Sequence, residues 1–405
     1  VGNAFIAIAA IGMSLVIVGG TSTLGALSGS GNMVLGSGGL ELTGGTGTYT
    51  GVLSGTGGLT IDDGVDQTLT GVNTYTGATI IEEGGSLSLT GSGSIADSSG
   101  VQDDGTFDIS GLTNGGTSIT SLSGSGNIEL GSNTLTLTNA SGTFSGVISD
   151  PAGGSLVVAS GTEILTGDNT YTGGTTINSG ATLQLGNGGA GGSLVGDVTD
   201  NGHFTFDRSD AYTFGGNITG TGAVVQNGSG VLTLTGANSY SGGITIGNDA
   251  TLVVAGEGNL GTGAITMLDG SALRITSTAS FNNNVSVTGD PTFIVAPSTT
   301  TTWSGLISGA GDVVVTGGGT LALTNTGNSY TLGTVVEGGS TLLIDNDGEI
   351  GNTSGGLTLG DASTAGTLKL GASFNLASTR AISLGAGGGT VDTQSFNSVV
   401  SQAIS

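Results

Sequence analysis

Leu165-Thr166-Gly167-Asp168-Asn169-Thr170-Tyr171-Thr172-Gly173-Gly174-Thr175-Thr176-Ile177-Asn178-Ser179-Gly180-Ala181-Thr182-Leu183-Gln184-Leu185-Gly186 is the stretch on which the fold turns. Its second half alternates apolar and polar residues, the period of a strand with one buried face. Glycine, asparagine and aspartate separate the runs. These residues tolerate positive φ and bond their own backbone, so they make tight bends. Val231-Leu232-Thr233-Leu234-Thr235 and Ile244-Thr245-Ile246 alternate in the same way and Thr251-Leu252-Val253-Val254 reads as a further short strand, with Gly236, Asn238, Gly242, Gly243, Asn248 and Asp249 between them.

The Asn-Thr/Ser-Tyr core of the string recurs. It stands at Asn73 to Tyr75, Asn169 to Tyr171, Asn238 to Tyr240 and Asn328 to Tyr330, which takes up four of the 6 tyrosines. Upstream lie Gly51-Val52-Leu53-Ser54-Gly55, Gly146-Val147-Ile148-Ser149 and Gly305-Leu306-Ile307-Ser308-Gly309, each preceded by an aromatic, with Phe214 opening the third copy. Units therefore begin near 49, 144, 214 and 303. Leu27-Ser28-Gly29-Ser30-Gly31-Asn32 returns as Leu122 to Asn127, 95 residues on, while the first two asparagines of the motif lie 96 apart. The other two motif spacings are 69 and 90, a drift that fits a stack whose coils are added or lost in whole turns. Such internal repetition is the signature of a stacked architecture. A hairpin meander alternates in the same way, but identical corners and only 3 prolines favour coils that bond their neighbours throughout. The expected fold is all-β: a single right-handed parallel β-helix over 1–405. At about 20 residues per coil it has roughly 20 coils and a length on the order of 100 Å.

Composition bounds the function. The 405 residues include 85 glycines, 8% are charged, and the net charge is −25. A mean hydropathy of +0.27 is too apolar for a disordered chain. The basic residues are Arg208, Arg274, Lys369 and Arg380, too few to grip phosphates or anionic lipid, so neither nucleic acid nor membrane insertion is expected. The absence of cysteine does not oppose export, because a chain of this length can build a core without disulfides.

The 165–186 string resembles the autotransporter-associated β-strand repeat of bacterial autotransporter passengers and surface adhesins. The resemblance implies a right-handed parallel β-helix exported to the bacterial cell surface. Members commonly end in a twelve-stranded membrane barrel, which is not expected in this chain. Val399 to Ser405 resemble the opening of a further unit, so the chain is expected to stop mid-repeat.

Candidate chemistry is weighed residue by residue. Asn73, Tyr75, Asn169, Tyr171, Asn238, Tyr240, Asn328 and Tyr330 read as structural corners rather than a sugar-stacking platform. Asp62, Asp63 and Asp66, and Asp345, Asp347 and Glu349, flank tight glycine turns and are weak Ca2+ candidates. They lack EF-hand or nonapeptide spacing and read first as solvated turns. No cofactor is otherwise expected. His203 lacks a nucleophile elbow. A polysaccharide lyase on a β-helix would need basic residues beside its carboxylates, and none of the four neighbours an acidic cluster in sequence. No catalytic residue is assigned.

Ala4 to Val18 carry no charge, too short a run for a membrane helix. Residues 1–20 read as apolar strands or as an assembly segment, with Phe5, Ile6, Ile8, Ile11, Leu15, Val16, Ile17 and Val18 as candidate contacts. The expected function is a non-catalytic extracellular passenger with a stalk, adhesion or biofilm role, meeting a surface glycan or protein. Alternatives are a filament subunit stacked end to end, and a polysaccharide-active enzyme.

Overall fold

The computed structural model describes residues 6–8, 14–17, 20–150, 152–401 and 403–405. These carry 48 strands and two short 3₁₀ turns. The fold is an all-β, right-handed parallel solenoid of about 18 turns, with no barrel among the described residues. The turns number fewer than expected because the corners carry insertions. Thr46 partners Asp66 at a separation of 20, whereas Thr341 partners Thr367 at 26.

The chain divides into two compact units, Val1–Phe204 and Thr205–Ser405. In the first, a sheet of eight parallel strands runs from Ile6–Ile8 through Leu27–Gly29, Gly45–Tyr49, Val65–Leu69, Ser86–Leu89, Thr106–Asp108 and Asn127–Glu129 to Val147–Ser149. A six-stranded sheet, from Ser22–Leu24 to Leu122–Ser123, forms another side. Strands within a ladder bond the coil before and the coil after, and alternate side chains, as in Leu40–Leu42 and Leu59–Ile61, face inward and are buried. In the second unit, nine parallel strands run from Tyr212–Phe214 to Ile382–Leu384, and six run from Ala279–Phe281 to Gly389–Asp392.

The core is a set of inward columns of Leu, Ile, Val and Phe, with nearly every member fully buried. Burial at about 25 cal/mol per Å² of apolar surface is the main stabilising term. In the second unit Trp303 stacks on Phe281 at 4.8 Å, meets Phe293 edge-on at 5.5 Å, and donates its indole N–H to Asn283 O at 3.0 Å. Close stacking also explains the glycine in Leu165-Thr166-Gly167. A Cβ there would lie 1.8 Å from Gly146 O, so only glycine fits.

Candidate functional site

The Asn-x-Tyr corners span coils. Asn169 Oδ1 accepts from Ile148 N at 2.9 Å, and Nδ2 donates to Gly167 O and Ser193 O, both at 3.0 Å. Asn73 repeats this with Leu53 N, Gly71 O and Ser94 O. One amide thus ties the coil below, its own turn and the coil above. In the second unit the bonds number two per asparagine. Asn238 joins Ile218 N and Asn259 O, and Asn328 joins Ile307 N and Glu349 O.

The motif tyrosines are buried rather than displayed. Their hydroxyls meet the threonine four residues on: Tyr75 with Thr79 at 2.7 Å, Tyr171 with Thr175 at 2.6 Å, and Tyr330 with Thr334 at 2.7 Å. In the third copy that position is Ile244. Burial raises the Tyr75 and Tyr330 phenols well above their ordinary value. The motif's polar atoms are therefore turned into the stack, the amides to neighbouring coils and the hydroxyls to a threonine of the same coil.

The acidic turns differ from one another. Asp62 is half-buried, Asp63 and Asp66 are exposed, and the Asp63 carboxylate lies over Gly84, where a Cβ would sit 2.1 Å from its Oδ1. Asp66, Glu83 and Asp104 line an open groove of about 460 Å³ with Ser125 and Asn127. In the other cluster, Asp345 is exposed and Glu349 Oε2 accepts from Asp345 N at 2.6 Å and Asn346 N at 3.2 Å. Asp347 pairs with Arg380 at 2.9 Å. Arg380 is the three-dimensional neighbour that sequence proximity did not reveal. Fully buried, its guanidinium also donates to the carbonyls of Asp347, Ile350, Gly351, Asn352 and Gly355. Among the described residues no three His, Cys, Asp or Glu gather as a metal-holding group.

The burial of three carboxyls escaped the sequence reading, in which Asp103 beside Asp104 counts as a solvated turn carboxylate. Asp103, Glu163 and Asp200 occupy inward positions and are 0% exposed. Asp103 and Asp200 each accept one N–H, from Gly105 and Gly202, and leave Oδ2 without a partner. Glu163 has a partner on neither oxygen; the Gly142 N–H lies toward it and offsets part of the burial without closing a hydrogen bond. Burial pushes Asp103 up to about 7, Glu163 to about 8 and Asp200 to about 6. His203, exposed on its strand, opposes the Asp200 rise. The period-two alternation was the signal that could have found them, since Glu163 stands where Glu163 and Leu165 share the inward face.

Of the candidate assembly residues, Ile6 and Ile8 lie on Ile6–Ile8, paired with Leu27–Gly29. Leu15, Val16 and Ile17 lie on Ser14–Ile17, paired with Asn32–Leu35. Among the described residues both strands are outermost in their sheets. Phe5, Ile11 and Val18 lie outside the described residues.

Stacked parallel coils closed by recurrent asparagine corners define the class: this is a β-solenoid repeat protein, and its repeats are similar to those of autotransporter passengers. More particularly, residues 66–89, 160–185, 224–254 and 313–344 match the passenger-associated-transport-repeat, so all four segments are copies of one unit. A 46-residue segment is 46% identical to the adhesin BmaC autotransporter of Brucella suis biovar 1 (strain 1330), covering 11% of this chain and 1% of that protein. No solved structure matches the chain.

Proposed function

We propose that the chain is a non-catalytic, cell-surface passenger segment that acts as a stalk or adhesive scaffold. The observation that carries this reading is the corner motif. The repeat's signature side chains spend their hydrogen bonds inside the stack, the asparagines chiefly on neighbouring coils and the tyrosines on a threonine of their own coil. What recurs therefore serves stacking, and binding falls to the exposed Thr, Ser and Asp positions between corners. The likeness to an adhesin autotransporter supports the adhesive part. Antibody labelling of intact cells, with protease shaving, tests display. Attachment of the parent strain and a deletion strain to immobilised glycans and matrix glycoproteins tests adhesion. Surface labelling with lost attachment in the deletion supports the proposal, and unchanged attachment removes the adhesive part.

A second reading rests on the uncharged strands Ile6–Ile8 and Ser14–Ile17, outermost in their sheets among the described residues, whose outer edges suit parallel pairing with another copy. Uniform filaments in electron micrographs of the purified chain support it, and a strict monomer at high concentration eliminates it.

A further inference from the structure

The buried carboxyls acquire meaning from what surrounds them. The first unit holds sixteen of the 29 acidic residues and none of the four lysines and arginines, all of which lie in the second. A carboxylate buried in the first unit therefore has no Lys or Arg of its own unit to pair with. Desolvating an unpaired charge is so costly that the group takes up a proton instead.

The repeat shows what the Glu163 position accepts. Glu163 stands six residues before Asn169. The corresponding residues are Gln67, Leu232 and Ala322, all buried and all neutral. Gln67 is fully engaged: Oε1 accepts from Leu27 N, and Nε2 donates to the carbonyls of Leu27, Gly47 and Thr68. Glu163 has no such set. Leu183 is its ladder partner on one side and Gly142 adjoins it on the other, neither of them charged. Asp103 stacks on Ile81, and its Cγ lies 2.9 Å from where a Cβ of Gly126 would be. The charged group acting on it is the adjacent Asp104, which further disfavours ionisation.

We propose that the first unit is a proton-stabilised module: Asp103 and Glu163 enter its core as neutral acids, and the coils that carry them are held tightest in mildly acidic surroundings. Such groups stabilise the fold fully below their unfolded values. That contribution is lost as pH rises through the folded ones, which places the loss between about pH 4 and pH 8. Asp200 adds a third group of the same form, with His203 as the charge acting against it.

The test uses the full chain, with Glu163→Gln (the residue of the first repeat), Glu163→Leu (that of the third) and Asp103→Asn. Glu129→Gln, an exposed strand position, controls for the general relief of a −25 surface. Urea midpoints are followed from about pH 5 to about pH 9. The wild-type midpoint is expected to fall as pH rises. The core variants should flatten that fall by gaining at the alkaline end only, while Glu129→Gln runs parallel to wild type. Infrared spectra of the folded wild type near neutral pH should show the carbonyl stretch of a protonated carboxylic acid, reduced in Glu163→Gln and Asp103→Asn. Core variants parallel to wild type at every pH overturn the proposal. If the variants do not fold, the wild-type spectrum decides alone, and absence of the protonated-acid band at neutral pH overturns it.

Discussion

The two units build the same coil and differ in how they treat most of their buried polar groups, although Asp312 of the second unit, with Oδ1 unpartnered, is pushed up to about 6 by burial like the carboxyls of the first. The first has no Lys or Arg and buries carboxyls with unpartnered oxygens; its asparagine corners each make three bonds. The second buries two arginines, Arg208 paired with Asp210 at 3.0 Å and Arg380 with Asp347, and its corners make two bonds each. Its buried Glu349 is tied to two backbone N–H groups. The difference teaches that the repeat specifies stacking and turn geometry but leaves the polar content of the core to each coil. One half is held by neutral acids and amide struts, the other by charge pairs and aromatic stacking.

The largest expected effect attacks the charge-pair half. Arg380→Met leaves the Asp347 carboxylate unpaired and removes the donor from five carbonyls, two kinds of loss that add. Breaking one partner of a buried pair costs about 3–5 kcal/mol. Hydrogen exchange should show the coils around Asp347 and Ile382 losing protection while those around Leu69 and Leu89 keep theirs. Uniform loss in both units would mean that the halves are not energetically separate.

The amide struts come next. Asn169→Ala removes three hydrogen bonds and Asn328→Ala two, in the same repeat position. At about 1 kcal/mol per bond, with unsatisfied backbone groups left behind, the first should cost about 3 kcal/mol and the second about 2. Urea midpoints of the paired variants measure the gap. Equal costs would show that the third bond, to Gly167 or Gly71 within the turn, contributes nothing.

Much of this was legible in the sequence. Four copies of Asn-x-Tyr with constant flanks implied stacked corners, and the 165–186 string gave both strand and turn. The coil number came out lower than roughly 20 because insertions such as 345–355 lengthen single turns without disturbing the alternation. The buried acids were hidden by composition. A carboxylate reads as solvated until its strand parity is followed, and Glu163 shares its inward face with Leu165. Arg380 was hidden by distance: it meets Asp347 across 33 residues, a separation only the coil register supplies.

A smaller effect sharpens the comparison at a point where the units agree. Tyr75→Phe and Tyr330→Phe each remove one buried hydroxyl bond to threonine. Each should cost about 1 kcal/mol, because Thr79 also bonds Ser98 and Thr334 keeps its coil packing. Thermal melts of the pair should shift alike. A larger shift in the Tyr330 variant would place that hydroxyl in the electrostatics of Arg380, whose charge favours the ionised phenol.

The smallest effect has the opposite sign to the carboxyls of the first unit. Asp361, half-buried, is held well below the usual carboxylate range by bonds from the Thr364 hydroxyl and the Ser363 and Thr364 N–H groups. A depressed carboxyl contributes above its unfolded value, and the contribution is lost as pH falls. Acid should therefore loosen the Asp361–Thr364 turn, which also receives the Gly387 N–H, while it tightens the coils around Glu163. Solvent screening keeps the change slight. Amide exchange of Gly387 compared with residues near Glu163, from about pH 3 to about pH 7, reads both at once. Asp361→Asn should abolish the acid response at Gly387 and leave the first unit untouched. If both regions tighten together in acid, the relief of net charge dominates, and the local contrast between paired and protonated carboxyls does not govern the response.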